Sequence, residues 1–226
     1  MSDASYIFLA GGSRGVGKEI AKCLTAQNLQ VKALLRTEAA RAEVEAMGVH
    51  VVLGDALIAA DVEAAMQGEE PIHAVITTLG GLPQEGERVD YLGNKNLIDA
   101  AVKAGVQRFI LVSSIGTGDS VVALSPQTLQ ALGAVLADKE KAEKHLMESG
   151  LTYTIIRPGG LKSEPATGNG VLTENPRVAG IIHRADVAQL VCKCLNSDQA
   201  KNKILSAVDK NMLFGQPEFE VFSPQS

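Results

Sequence analysis

Tryptophan is missing from this 226-residue chain, and its aromatic rings amount to five phenylalanines and three tyrosines. So few rings make no base-stacking platform. The 26 acidic against 21 basic side chains, a formal charge of −5, leave no broad cationic face for nucleic acid. Cysteine is also scarce. Cys23, Cys192 and Cys194 form no Cys-x-x-Cys pair and join no histidine at ligand spacing, which excludes a disulfide framework and a metal site and points to a reducing compartment. No apolar run approaches the roughly 20 residues a membrane helix needs. No basic-then-apolar leader precedes the strand-like residues at Tyr6, so a soluble, cytoplasmic protein is expected. Neither a proline- or serine-rich stretch nor a run of one charge sign divides the chain. With 46% hydrophobic residues it can build one domain over residues 1–208, followed by a tail over 209–226.

What the chain does have is an alternation of β-rich and helix-periodic segments. Strands are expected from Tyr6, at Gln30 to Arg36, Val49 to Leu53, Ile72 to Thr78, Phe109 to Val112, Tyr153 to Ile156 and Lys203 to Val208. Helices are expected from Lys18, at Glu38 to Met47, Ala59 to Met66, Val89 to Gly105, Leu129 to Ser149 and Arg184 to Leu195. Near-continuous apolar strands separated by helices indicate an α/β fold, a Rossmann-type doubly wound and mostly parallel sheet. Three stretches fall outside the rhythm: Leu79 to Arg88, residues 115–126 and residues 161–180. The last is long enough to read as a substrate-covering loop, and residues 115–126 are expected to form a second substrate loop. The tail carries Phe214, Phe219, Val221 and Phe222, which suit either packing on the body or contact with a protein partner.

The most informative stretch is Tyr6-Ile-Phe-Leu-Ala-Gly-Gly-Ser-Arg-Gly-Val-Gly17, an apolar strand running into a glycine turn and then a helix. Glycines let backbone approach a ligand closely, and the free N–H groups of a helix N-terminus favour an anion such as a pyrophosphate. The spacing Gly11-x-x-x-Gly15-x-Gly17 departs from the Gly-x-Gly-x-x-Gly fingerprint, so an ordinary strand-to-helix turn is the competing reading. At the end of the second strand, Arg36 suits a 2′-phosphate, where a carboxylate would suit ribose hydroxyls. With Arg14 as a second cation, NADP(H) is favoured over NAD. Asp55 suits either an adenine amino group or a local turn.

Four segments carry a resemblance that covers most of the chain: Ala10 to Gly17, Val89-Asp-Tyr-Leu-Gly-Asn-Lys-Asn-Leu-Ile-Asp-Ala-Ala101, Phe109-Ile-Leu-Val-Ser-Ser-Ile-Gly116, and Lys141 to Gly160. His183-Arg-Ala-Asp-Val-Ala188 adds a fifth. Together they resemble the atypical short-chain dehydrogenase/reductases of the NmrA-like, NAD(P)H-binding group. That group includes the NADP-binding domains associated with chloroplast protein import and, more distantly, the biliverdin IXβ/flavin reductases. The resemblance implies a pyrophosphate turn at Gly11, Ser13, Arg14, Gly15, Val16 and Gly17, a 2′-phosphate contact at Arg36 and an adenine contact at Asp55 and Ala56. It places Thr78, Leu79 and Gly80 along the ribose, Ser113 and Ser114 beside the nicotinamide, and Pro158, Gly159 and Gly160 at the far wall. Lys139 matches the lysine that binds the nicotinamide ribose; Ser114 and Lys139 are the catalytic candidates.

The tyrosine that proton-transferring members carry four residues before this lysine is absent. Val135 stands there relative to Lys139, and Ala137 relative to Lys141. Tyr6 and Tyr153 read as core, and Tyr91 as a packing residue at a helix start. Without a positioned acid, reduction of an isolated ketone is disfavoured, whereas a flavin, quinone or bilin-like ring spreads the arriving charge. The expected function is therefore NADPH-dependent reduction of a conjugated small-molecule acceptor, the alternative being a non-catalytic NADP(H)-dependent sensor or scaffold. His50, His73, His145 and His183 lack partners at ligand spacing, and Lys139 to Lys144 reads as a solvated helix face apart from the ribose role of one lysine.

Overall fold

The computed structural model describes residues 5–68, 70–81 and 88–225. The loop expected over Leu79 to Arg88 therefore lies mostly outside the described residues. Strand β1 (Tyr6–Ala10) leads into α1 (Gly15–Ala26), and β2 (Val31–Leu35) is followed by a 3-10 turn (Glu38–Ala40) and a short α2 (Arg41–Glu45). Next come β3 (His50–Leu53), α3 (Ala59–Met66), β4 (Ile72–Thr77), α4 (Leu92–Lys103) and β5 (Arg108–Val112). A second 3-10 turn (Gly118–Ala123) precedes α5 (Pro126–Glu148), β6 (Thr152–Pro158), β7 (Gly160–Lys162), β8 (Gly170–Thr173), β9 (Ile181–His183), α6 (Arg184–Leu195) and β10 (Lys203–Asp209).

The main sheet has the order β3-β2-β1-β4-β5-β6-β10-β8, all parallel except the antiparallel pair β10–β8. This is the expected doubly wound sheet, and its direction of growth reverses between β1 and β4, where such sheets bind ligands. Alternation along β1 divides the core. Ile7 and Leu9 face Val16, Ile20 and Leu24 of α1 and Val187 and Val191 of α6, while Phe8 and Ala10 face Val62 of α3, Leu97 and Ile98 of α4 and Leu146 of α5. Phe8 and Phe109 are fully buried, and truncating either to alanine costs about 3–5 kcal/mol.

Helix α5 begins three residues before its apolar periodicity does, because Ser125 accepts a hydrogen bond from the Thr128 N–H at 3.2 Å and Pro126 occupies the first helical position. Residues 161–180, expected to lack structure, contain β8 and the end of β7. Buried Asp186 at the start of α6 accepts the backbone N–H groups of Thr167 and Gly168, each at 2.9 Å, and so anchors the intervening turn. The tail turns back on the body: Phe214 N–H donates to the Ala179 carbonyl, Phe222 N–H to the Leu172 carbonyl, and Phe219 packs against the cluster of Ile115, Val178 and Val208. No helix among the described residues is long and apolar enough to cross a membrane.

Candidate nucleotide site

The glycine turn occupies the reversal point between β1 and β4. Gly11 and Gly15 have φ of +85° and +56°, in the left-handed region that glycine tolerates best. Gly17 is required for space: a Cβ there would fall under 3.0 Å from the Gly11 carbonyl oxygen. The Thr78 hydroxyl donates to that same carbonyl at 3.2 Å and ties the end of β4 to the turn. Arg14 is the N-cap of α1, its side chain makes no capping bond, and no acidic residue sits in the first helical turn. Among the described residues the first amides of α1 thus have no side-chain acceptor, which is the donor set a pyrophosphate takes. Ser13 is half-buried and Arg14 exposed beside them, whereas Val16 points into the core. Sequence reasoning missed one neighbour, Arg184 at the start of α6, whose Nε would lie 3.7 Å from a Cβ on Gly15. Only the tertiary fold brings that cation to the turn.

Arg36 follows β2 directly, is exposed, and makes no ion pair among the described residues. Asp55 follows β3. Its Oδ1 accepts the Leu57 N–H at 2.9 Å, so the local turn role is realised, with the second oxygen remaining for any adenine contact. Ala56 is buried, and its carbonyl accepts from Asn96 Nδ2 at 2.9 Å.

At the end of β4 the residues close on a charged pair. Lys139 Nζ lies 3.1 Å from Oδ1 of Asp90, which is wholly buried and whose Oδ2 has no hydrogen-bond partner among the described residues. Gly80 sits between them: a Cβ there would come within 2.6 Å of Nζ and 2.7 Å of Oδ1. Asn94 holds the frame, accepting from the Thr77 hydroxyl at 2.8 Å and donating to the carbonyls of Asp90 at 2.8 Å and Leu79 at 3.4 Å. Of the two lysines weighed in the sequence, Lys139 faces this strand end. Lys141 is exposed, pairs with Asp138 and lies over the Tyr91 ring, 5.7 Å from its centroid. Val135, one helical turn before Lys139, is half-buried and has no acidic proton to transfer. Tyr6 and Tyr153 are half-buried rather than sealed in the core.

Across the site, Ser113 is buried and its N–H donates to the Ile156 carbonyl at 2.7 Å. The Ser114 hydroxyl donates to the Ile115 carbonyl at 3.0 Å, so it presents lone pairs until it rotates. The Pro158 carbonyl accepts the Ile115 N–H, and the N–H groups of Gly159 and Gly160 donate to Ala207 and Gly180 carbonyls. These amides are occupied, leaving this turn to act as a wall.

Glu143 corrects one expectation. Within the run expected to be solvated, it is 1% exposed and receives Arg157 Nε at 3.1 Å and Nη2 at 2.7 Å, with Asp119 as the second partner of the guanidinium. Burial works against the Arg157 charge, but the bonds to Glu143 and Asp119 outweigh it and hold its pKa above the ordinary value. Apart from Lys139–Asp90, the remaining pairs of that run, Lys141–Asp138 and Lys144–Glu140, lie at the surface as expected.

Residues 11–198 match the family model described as NAD(P)H-binding. Among solved structures, ChuY, an anaerobilin reductase from Escherichia coli O157:H7, is 34% identical, with a TM-score of 0.84 over 95% of this chain and 100% of that one. Sanguinarine reductase of Eschscholzia californica is 29% identical, over 90% of this chain and 89% of the relative. The chloroplast protein TIC 62 of Pisum sativum is 32% identical, over 91% of this chain and 43% of its own. The switch-point turn, the open amides of α1 and the match over residues 11–198 agree, and the chain belongs to the NAD(P)H-binding family, an atypical short-chain dehydrogenase/reductase.

Proposed function

We propose that the protein is an NADPH-dependent reductase that delivers hydride to a conjugated small-molecule acceptor, a flavin, quinone or bilin-like ring, without a tyrosine acid. The observation that carries this reading is the placement of Lys139 beside Gly80 and Asp90 with Val135 one turn away. Lys139, read as the ribose-binding cation, lies at the end of β4, and Val135 stands where proton-transferring members carry a tyrosine. When bound, a reduced nicotinamide supplies a hydride. The open amides of α1 hold the pyrophosphate, with Arg14 and Arg184 adding positive charge beside the turn. Arg36 pairs with the 2′-phosphate and selects NADP(H). Lys139, held by Asp90, donates to ribose hydroxyls and fixes the ring's position. Ser114 steadies a polar edge of the acceptor, and the proton comes from water. Relatives named as reductases of anaerobilin and sanguinarine are in keeping with this class of chemistry.

The test is anaerobic mixing of the purified protein and NADPH with FMN, a soluble quinone and a bilin in separate reactions. NADPH oxidation above background with at least one is expected. Tight NADPH binding with no oxidation by any of them would overturn the reductase reading. That outcome would favour the second one, an NADP(H)-dependent sensor or scaffold that meets a protein partner through the exposed tail residues Phe214 and Val221. A pull-down in both nucleotide redox states then tests it.

A further inference from the structure

Helices α1 and α6 pack side by side beneath the glycine turn, and they bring together two thiols that are 169 positions apart in sequence. Cys23 on α1 is half-buried and Cys192 on the facing α6 is buried. Gln27 Nε2 donates to Cys23 Sγ at 3.4 Å. The two cysteines line one solvent-open depression with Gln27, Gln189, Lys193 and Asn196. We propose that Cys23 and Cys192 form a reversible dithiol–disulfide couple, a modification site that exchanges with low-molecular-weight disulfides of the glutathione class. This inference does not depend on the reductase reading.

The roles of the two thiols differ. Cys23 is the more exposed of the two and so the one an incoming disulfide reaches, and interaction with Cys192, helped by Gln27, outweighs burial and lowers its thiol below the ordinary value, which favours the attacking thiolate. Cys192 is pushed up, first by its interaction with Cys23 and then by burial. Cys23 thiolate attacks one sulfur of the incoming disulfide, breaking its S–S bond and releasing one thiolate, and a mixed disulfide remains on Cys23. Cys192 then gives its proton to the released thiolate and attacks Cys23 Sγ, expelling the second small thiol. The balance is two protein thiols and one small disulfide in, one protein disulfide and two small thiols out. Lys193 at the rim favours an anionic partner such as the tripeptide. Cys194 is the internal control: it does not line the depression, and burial pushes its thiol up to about 12.

The experiment incubates the reduced full-length protein with oxidised glutathione, quenches with an alkylating reagent and maps peptides without reduction. The wild type is expected to yield an intramolecular Cys23–Cys192 linkage that dithiothreitol reverses, with Cys194 alkylated only after unfolding. Cys192→Ala is expected to stop at a glutathione adduct on Cys23, which distinguishes an attacking thiol from a merely packed one. Cys23→Ser is expected to abolish both products while keeping the wild-type circular dichroism. Equal labelling of Cys23 and Cys194, a disulfide only between molecules, or no adduct in Cys192→Ala would overturn the proposal.

Discussion

Two places in this molecule need glycine for the same steric reason and use it differently. At Gly17 and at Gly159 an added Cβ would fall under 3.0 Å from a backbone carbonyl oxygen, that of Gly11 in the first case and of Gly180 in the second. Yet the helix amides beside Gly17 have no capping side chain, while the N–H groups of Gly159 and Gly160 are bonded to Ala207 and Gly180. Close backbone approach alone is therefore no signature of a ligand site. The distinguishing feature is whether the surrounding donors already have acceptors. The first crossing is open for an anion; the second is a closed joint that sets the wall of the site.

Changes on the closed side should therefore act on stability and changes on the open side on nucleotide affinity. The largest effect belongs to the closed side. Glu143→Gln leaves the buried Arg157 short of its counter-charge and is expected to lower unfolding free energy by about 3–5 kcal/mol in urea titrations, with NADPH affinity of the folded fraction unchanged. Gly17→Ala is expected to weaken NADPH binding on the order of 100-fold by calorimetry, the equivalent of about 3 kcal/mol. Its counterpart Gly159→Ala should instead lower stability by about 1–3 kcal/mol. If Gly159→Ala abolished binding at unchanged stability, the distinction between open and closed crossings would collapse.

Arg36→Ala is expected to reduce the preference for NADPH over NADH by about tenfold, because on the proposed reading it removes one charge-assisted hydrogen bond to the 2′-phosphate; competitive titration of the two nucleotides measures it. The smallest change lies far from both crossings. Burial opposes ionisation of Asp99, but Lys95 and His145 outweigh it and hold its carboxyl below the ordinary value. A depressed folded pKa means the contribution is present above the unfolded value and is lost as pH falls through the folded one. Asp99→Asn should therefore show a smaller loss of urea midpoint than the wild type between about pH 6 and about pH 3, with NADPH affinity untouched.

Much of the fold was legible because parallel strands buried on both faces are apolar throughout and the helices between them keep their period. The errors came where tertiary pairing, not pattern, decides. Gly170-Val-Leu-Thr173 is too short to announce a strand and becomes one because the edge of β10 is there to pair with. Glu143 sits in a run of charges and reads as solvated, yet Arg157 meets it across 14 positions and makes its burial tolerable. For the site, Lys139 could be assigned only by resemblance, while Asp90, its ion-pair partner, carried no signal of its own as a charged partner.

What the sequence by itself determined is the alternation that builds the doubly wound sheet, the glycine turn at its first crossover, the cation at Arg36, and the absence of a tyrosine before Lys139. Each is a local matter of residue type and spacing. The tertiary structure alone decided which lysine faces the strand ends, that Arg184 joins the turn, that Gly159 serves a joint rather than an open donor set, and that Cys23 finds Cys192 instead of Cys192 finding Cys194. Those are meetings between residues remote in the chain. Their physical basis is the packing of α1 on α6, of α5 beside α4 and of β6 against its neighbours, which no local periodicity encodes.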